Sequence, residues 1–278
     1  MSLAALTPLN EPELVERHQL GMAEMGYLGL SEQWLLRRAG DLHWRLIARA
    51  MGQREAVFTC AAGEPLYAAF CATSLKLEKP ELPRLGAELT LSADLYRIGH
   101  GRLASLQRIV IDSHEIGRMV LISTFVGRSE PARNRSIVRR TPRVLAMPPE
   151  APSVVQRFAQ RAADAARLAL RHKLDLWNTG AERQILPCPA TDFNAAGLLY
   201  FPSFSALVDR ALFEAGETHA RMIASRHVVY LGNVEPGESL CIGFRHAPGG
   251  LNAMLRCTDD RPLALMRIRF HRGNAECR

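Results

Sequence analysis

Hydrophobic residues recur at helical spacing over residues 30–51, where only Gly40 interrupts the apolar face. Over residues 66–77 the period changes to two, which is typical of a β-strand. The segments 99–101 and 112–114 (Gly-His-Gly and Asp-Ser-His) suit tight hairpin turns. Three more strands are predicted around these turns, at residues 88–96, 103–112 and 117–126. The first half therefore predicts one long helix followed by an antiparallel sheet.

The second half of the chain repeats this plan. A helix is predicted over residues 201–215. It is followed by strand patterns near residues 221–231, 239–246, 252–258 and 263–271. Gly26 and Gly197 occupy corresponding places before the two helices, although the halves share no sequence repeat. One helix wrapped by an antiparallel sheet, twice over, is an α+β architecture whose two sheets have edges that can pair with each other.

Between the halves lies a basic, proline-bearing stretch at residues 127–152, predicted to be a linker or a strand lying across the surface. A helix is predicted after it, over residues 154–177, from its period and its alanine content. We therefore expect an N-terminal domain over residues 1–130, a basic linker plus helix over 131–180, and a C-terminal domain over 181–278. The length of 278 residues agrees with two modest domains.

Composition excludes several classes of protein. No run of about 18 apolar residues and no signal-peptide pattern is present, so we expect a cytoplasmic protein that does not cross a membrane. The six cysteines show no C-x-x-C spacing, and the nine histidines form no H-x-x-x-H pair. These patterns indicate reduced thiols and no metal site.

The formal net charge of +7 rests almost entirely on arginine. One interpretation is a coding bias towards arginine; the other is attraction to an acidic partner such as coenzyme A phosphates, an acidic carrier protein or nucleic acid. The arginines concentrate over residues 128–143, without interleaved aromatic residues. Nucleic acid is therefore the least favoured of these partners, and we expect no nucleic-acid binding.

The segment from Asp192 to Phe201 is the most informative one for chemistry. A short polar loop ends at Gly197 and an apolar helix follows at once, so backbone N–H groups at the helix start are predicted to hold a carbonyl oxygen or an anion. The segment resembles the opening of a hot-dog domain in the 4-hydroxybenzoyl-CoA thioesterase family, whose pattern reads Asp-x-x-Gly-aliphatic-x-aromatic-x-x-aromatic. The repeated plan then corresponds to a double hot-dog fold. Asn194 stands where that family keeps its catalytic carboxylate.

An asparagine cannot act as a base or nucleophile, but its NH₂ group can hold an oxyanion or a carboxylate. Asn194 is therefore predicted either to polarise the substrate or to cap the helix start. Asp192, shifted by two positions, and Glu24 in the corresponding loop of the first half are alternative carboxylates, or simply solvated or capping acids. Substrate contacts are also predicted for the neighbours of these groups in the two loops and the following helix. These are Met22, Phe193, Gly197 and Tyr200.

Most of the chain also resembles the leinamycin-type bifunctional acyltransferase/decarboxylase and related proteins of polyketide clusters. The residues that carry this resemblance are Gly21-Met22, Gly40-Asp-Leu-His-Trp44, Pro65-Leu-Tyr-Ala-Ala-Phe70, Asp192-Phe-Asn194 and Gly197-Leu-Leu-Tyr-Phe201. The resemblance implies that Tyr67 takes an acyl group from a (methyl)malonyl thioester, which loses carbon dioxide before transfer to an acyl carrier protein. A phenol needs a neighbouring cation, base or oxyanion site for this role. Without the resemblance, Tyr67 is equally well a half-buried strand aromatic.

An amide at position 194 favours decarboxylation over hydrolysis, because a carboxylate there would repel the carboxylate of the substrate. The expected substrates and partners are acyl-CoA and an acyl carrier protein, with no cofactor and with a homodimer left open. The alternatives are an acyl-CoA or acyl-carrier thioesterase, a dehydratase of the same fold, and a non-catalytic module that docks a carrier protein through its arginines.

Overall fold

The first half folds as one helix against an antiparallel sheet, in a computed structural model that describes residues 14–144, 146–171, 181–217 and 221–271. Helix α1 spans Glu32–Ala50, and its start is fixed by Ser31, whose Oγ accepts the Trp34 N–H at 3.3 Å. The strands of this half are β1 Leu14–Gln19, β2 Met25–Gly26, β3 Gly29–Leu30, β4 Phe58–Thr59, β5 Pro65–Leu77, β6 Glu88–Ile98, β7 Arg102–Ile111 and β8 His114–Arg128. The predicted helix and four main strands are confirmed.

The second half repeats the arrangement, as predicted. A short helix α3, Pro189–Asp192, precedes helix α4, Phe201–Glu214. Its strands are β10 Ala181–Ile185, β11 Ile223–Tyr230, β12 Leu240–Ala247, β13 Gly250–Cys257 and β14 Pro262–Phe270. Each hydrophobic core lies between one long helix and the inner face of its own half of the sheet. The α+β, double hot-dog prediction is confirmed.

The connecting segment combines a short strand and a helix. Strand β9, Ile137–Arg139, pairs with β8, and helix α2, Ser153–Arg171, packs on the outer face of the sheet against β11 and β14. The rest of the predicted helix, residues 172–177, lies outside the described residues. Among the described helices, none is both long and apolar enough to cross a membrane.

The two halves share a continuous sheet because β5 pairs antiparallel with β11 at its centre. The strand order is β1-β6-β7-β8-β5-β11-β14-β13-β12-β10, with β4 on β5 and β9 on β8. Strand β5 contains a bulge at Cys71, since Phe70 pairs with Ser123 and Ala72 with Ile122. The bulge reverses the side-chain alternation, so that Thr73 and Leu75 continue on the face that Phe70 occupied.

The two long helices meet at Gly40 of α1, the residue that interrupts the apolar pattern of that helix. A Cβ atom built on Gly40 would lie 2.7 Å from Cε1 of Phe201, the first residue of α4. Glycine at this position therefore lets the Phe201 ring pack against the backbone of α1. This contact brings the start of α4 over strand β5 of the first half.

Candidate functional site

A cavity of about 820 Å³ opens at the junction of the two halves, where β5 and β11 separate. Their pairing ends at Ala72 and Val229. Beyond this point the cavity is bordered by residues 66–71 of β5, by the loop that precedes α4 and by residues 230–233 after β11. Its size is within the usual range for small-molecule and cofactor sites.

One wall of the cavity is a cluster of aromatic rings. Phe70 and Phe201 lie 4.4 Å apart, measured between ring centroids, and Trp44 lies 5.4 Å from Phe70. Tyr200 stacks on Trp44 with centroids 6.3 Å apart. These residues line the cavity together with Phe58. The wall suits an apolar group, such as an acyl chain.

The loop before α4 is held by its own polar groups. Oδ1 of Asn194 accepts the N–H groups of Ala196 and Leu198 at 3.0 and 3.1 Å. The Leu199 N–H donates to Oδ1 of Asn233, and the Tyr200 N–H donates to the Asp192 carbonyl at 2.7 Å. The expectation that the backbone N–H groups of this turn bind a ligand therefore fails for residues 198–200, because internal acceptors already satisfy them.

Asn194 nevertheless lines the cavity and retains a donor group. Its oxygen stabilises the turn within the loop and does not cap helix α4, whose N-cap residue is Tyr200, so the predicted helix cap is wrong. No described residue accepts a hydrogen bond from its Nδ2 group. An amide held by its oxygen in this way presents its NH₂ as the group left to contact a bound molecule.

Two residues of the basic connecting segment hold this loop against the sheet. Nδ2 of Asn134, which is buried, donates to the carbonyls of Gly197 and Val234 at 2.7 and 2.8 Å. Arg128 donates to Oδ1 of Asn134 at 2.7 Å and to the Ala196 carbonyl at 2.5 Å. The segment therefore forms part of the site. Residue type and spacing do not indicate these roles, because the contacts to the loop join residues more than 60 positions apart.

Tyr67 lies on β5 opposite Val126 and lines the cavity. The guanidinium carbon of Arg128 lies over the Tyr67 ring, 5.6 Å from its centroid. A cation, one of the three kinds of neighbour considered for a reactive phenol, therefore lies over the ring, and the same guanidinium holds the loop of Asn194. Tyr67, Asn194 and Tyr200, from the two halves, are brought to one cavity.

The other predicted site residues do not line the cavity. The Asp192 carboxylate accepts the Cys188 N–H at 2.7 Å and so caps α3, while Phe193 packs against the core of the second half. Gly197 supplies the left-handed turn of the loop, with φ of 70°. Met22 is exposed, and Glu24 accepts the Gly21 N–H at 2.9 Å in the other loop. This geometry therefore does not place these residues beside a reacting group.

The described residues that line the cavity include no aspartate, glutamate or histidine, but they include Arg135, Arg139 and Arg261. Arg135 is paired with Glu238 and Asp259.

Burial raises the pKa of the Cys71 thiol, opposed by Arg102 and Arg139 nearby. Burial likewise raises the pKa of Tyr200 and of Tyr230, whose hydroxyl contacts Thr73 at 3.1 Å. The described cavity lining therefore has cationic side chains and no acidic ones, and it holds its thiol and these two phenols neutral at pH 7.

His43 of α1 does not act as a general base for this cavity. Its two ring nitrogens contact the hydroxyls of Ser105 and Ser123 at 2.9 and 2.8 Å, and the residue is fully buried. Burial lowers the pKa of His43 to about 3. Within the described ranges, no group of three or more histidine, cysteine, aspartate and glutamate residues is arranged to hold a metal ion.

The fold is similar to solved structures of two thioesterases and a dehydratase. The 12:0-ACP thioesterase from Umbellularia californica has a TM-score of 0.65 at 11% identity, with 93% of this chain and 97% of that chain covered. An acyl-ACP thioesterase from Bacteroides thetaiotaomicron VPI-5482 has a TM-score of 0.61 at 11% identity, with 93% and 98% covered. A MaoC-like dehydratase from Phytophthora capsici has a TM-score of 0.50 at 13% identity, with 96% and 98% covered.

At such low identities the similarity shows a shared double hot-dog fold and does not transfer an activity. The sequence matches no protein-family model and no curated protein. The evidence for a function therefore comes from the residues that line the cavity.

Proposed function

We propose that this protein is an enzyme that binds acyl thioesters in the cavity between its two halves. Acyl-CoA or an acyl carrier protein supplies the thioester, and no cofactor takes part. Three features support this proposal: the aromatic wall, the cationic surroundings and the general similarity to thioester enzymes.

Within this class we propose acyl transfer with decarboxylation of a (methyl)malonyl-type acyl group. The observation that carries the proposal is the combination of Tyr67 beside Arg128 with a described cavity lining that has no carboxylate and no histidine. Such a lining lacks a general base for activating water. A neighbouring cation instead favours the negative charge that a phenol oxygen gains as its proton leaves.

The proposed reaction has three steps. The Tyr67 oxygen attacks the thioester carbonyl carbon, a C–O bond forms, the C–S bond breaks, and the thiol leaves with the phenol proton. The acyl carboxylate then departs as carbon dioxide, the electrons of the broken C–C bond move to the ester carbonyl oxygen as an enolate, and the enolate carbon takes a proton from water. The thiol of a carrier protein finally attacks the ester carbon and releases the phenol. The NH₂ group of Asn194 is proposed to stabilise the enolate oxygen.

Thioester hydrolysis is the second candidate, because two of the similar structures named above are thioesterases. A dehydratase activity has the same kind of support from the MaoC-like structure. An Asn194→Asp variant places a carboxylate in the cavity lining, where it would activate water and repel an acyl carboxylate. We expect this variant to gain hydrolysis and to lose decarboxylation.

Docking of a carrier protein without catalysis is the third candidate. An acidic partner would be attracted at low salt to the arginines of the basic segment at residues 128–143. Of these arginines, Arg135 and Arg139 line the cavity. This alternative predicts binding that weakens with salt and no turnover of any thioester.

Product analysis tests the proposal. The protein is incubated with malonyl-CoA or methylmalonyl-CoA and a carrier protein, and carbon dioxide, free acid and acylated carrier are measured. The proposal expects carbon dioxide and a decarboxylated acyl carrier in equal amounts. Free acid with free thiol would instead assign the chain to hydrolysis, and no product would leave the docking function.

A further inference from the structure

We infer that the free edge of strand β5, residues 67–71, is a pairing site for the amide-bearing arm of the substrate thioester. This inference rests on the proposed action on acyl thioesters and names the part of the substrate that the edge holds.

The edge is free because the neighbouring strands stop short of it. On the side of β5 away from β8, β11 pairs with residues 72–76, and β4 pairs with Pro65 and Leu66. Between these two partners, the described residues provide no strand for residues 67–71. An unpaired strand edge exposes a row of N–H and C=O groups that bind another extended chain.

The cavity runs along this edge. Successive side chains of a strand point to opposite faces of the sheet, so a cavity on one face touches every second residue. Here the cavity is lined by residues 66–71 without a gap. Contact with six consecutive residues therefore places the cavity beside the backbone itself.

Trp44 shows which backbone groups face the cavity side. Its indole Nε1 donates to the Ala68 carbonyl at 2.9 Å. In an antiparallel pair the N–H and C=O of one residue point to the same side, and the side alternates along the strand. The Ala68 N–H and the Phe70 N–H and C=O thus face the cavity, while the groups of Ala69 face β8.

An extended ligand with amide groups suits this arrangement. In coenzyme A and in carrier proteins the thioester is attached through a pantetheine arm that contains two amides, each with one donor and one acceptor. The same cavity provides aromatic rings for the acyl group and Arg139 for an anion beyond the arm. The pantetheine arm therefore matches the edge, the rings and the arginine together.

Truncated substrates test this inference. The same acyl group is presented as a thioester of pantetheine with two amides, of N-acetylcysteamine with one, and of ethanethiol with none. Each lost amide should raise KM by about 3- to 10-fold, the range expected for one hydrogen bond. Turnover of all three with equal KM would overturn the inference and leave the proposed function intact. Absence of turnover with every thioester would contradict the proposed function instead.

Hydrogen exchange gives a readout that does not depend on turnover. Saturating pantetheine should slow exchange in the peptide that contains Ala68 and Phe70, and should leave a peptide from β7 unchanged as the internal control. Unchanged exchange at residues 67–71 in saturating pantetheine would overturn the inference. Protection by an unrelated extended peptide, but not by pantetheine, would also overturn it and would assign the edge to a protein partner.

Discussion

At the scale of single residues, the site depends on pairs that the sequence separates widely. Tyr67 and Asn194 were predicted from motif resemblance, and both line the cavity. Arg128 and Asn134 were seen only as members of a basic stretch, because their contacts to residues 196, 197 and 234 are long-range. Residue type and spacing cannot indicate such contacts until the topology is known.

Removing the Asn134 side chain tests whether this residue fixes the loop before α4. Asn134→Ala leaves the carbonyls of Gly197 and Val234 without their donor and removes one of the two acceptors of Arg128, which should cost about 1–3 kcal/mol of unfolding free energy. Faster proteolysis or hydrogen exchange at residues 194–199 is expected alongside. Arg133→Ala, which removes an exposed arginine of the same segment, is the control and should change neither.

His43 provides a pH test at the same scale. Because its pKa is lowered from 6.5 to about 3, the folded protein keeps the ring neutral, whereas the unfolded chain protonates below pH 6.5. This contribution to stability is complete above pH 6.5 and declines as the pH falls from 6.5 towards 3. NMR shifts of the His43 ring should therefore stay constant between pH 5 and 8. Titration of His43 near pH 6 would contradict its burial.

At the scale of elements, periodicity predicted the two long helices and the eight main strands, with ends displaced by a few residues. It missed the outermost strands β1 and β10, because a short strand has too few residues to establish a period. It also missed the Cys71 bulge and the α1–α4 contact. The sequence marked Gly40 only as an interruption of the apolar face of α1. The structure gives the reason for a glycine there, because the Phe201 ring packs against the helix backbone at this residue.

Gly40→Ala tests the contact between the two helices. Alanine gains about 1 kcal/mol of helix propensity, but its Cβ lies 2.7 Å from the Phe201 ring, and overpacking costs about 1–3 kcal/mol. The net effect should be a loss of stability in urea unfolding. A second change, Phe201→Leu, should recover part of the loss in the double variant. Stabilisation by Gly40→Ala alone would show that the helices do not meet as described.

A buried ion cluster also joins elements of the two halves. Arg226 of β11 is 2% exposed and contacts Glu32 of α1 at 3.0 Å and Asp209 of α4 at 2.8 Å. Burial, opposed by Arg226, raises the pKa of Glu32 to about 7, and Asp209 and Tyr230 are the other titratable groups of this cluster. Residue type and spacing do not indicate this cluster, because its three members belong to three different elements.

The raised pKa of Glu32 sets the direction of a pH effect. The folded state holds the proton more tightly than the unfolded chain, so the stabilising contribution is complete below pH 4.5 and is lost as the pH rises through 7. The loss should be roughly 2–3 kcal/mol. Glu32→Gln should remove this dependence from urea unfolding curves at pH 5–8. Glu64→Gln, at an exposed position near the cavity, is the control and should retain it.

At the scale of the whole molecule, the duplication creates the site. Each half has its own core, yet the cavity exists only where β5 of one half and the α4 loop of the other lie side by side. The sequence indicated the duplicated fold and candidate site residues in both halves. It did not indicate which of the two helix-start loops borders the cavity, because that depends on how β5 and β11 separate.

The central claim is that a thioester in this cavity transfers its acyl group to Tyr67. Intact-protein mass measurement after incubation with malonyl-CoA or methylmalonyl-CoA tests it most directly, with Tyr67→Phe as the test variant and Tyr27→Phe, at a 93% exposed position outside the cavity, as the matched control. The account predicts a covalent acyl adduct in the wild type and in Tyr27→Phe, and none in Tyr67→Phe. An adduct that persists in Tyr67→Phe, or thioester turnover with no adduct in the wild type, would contradict it.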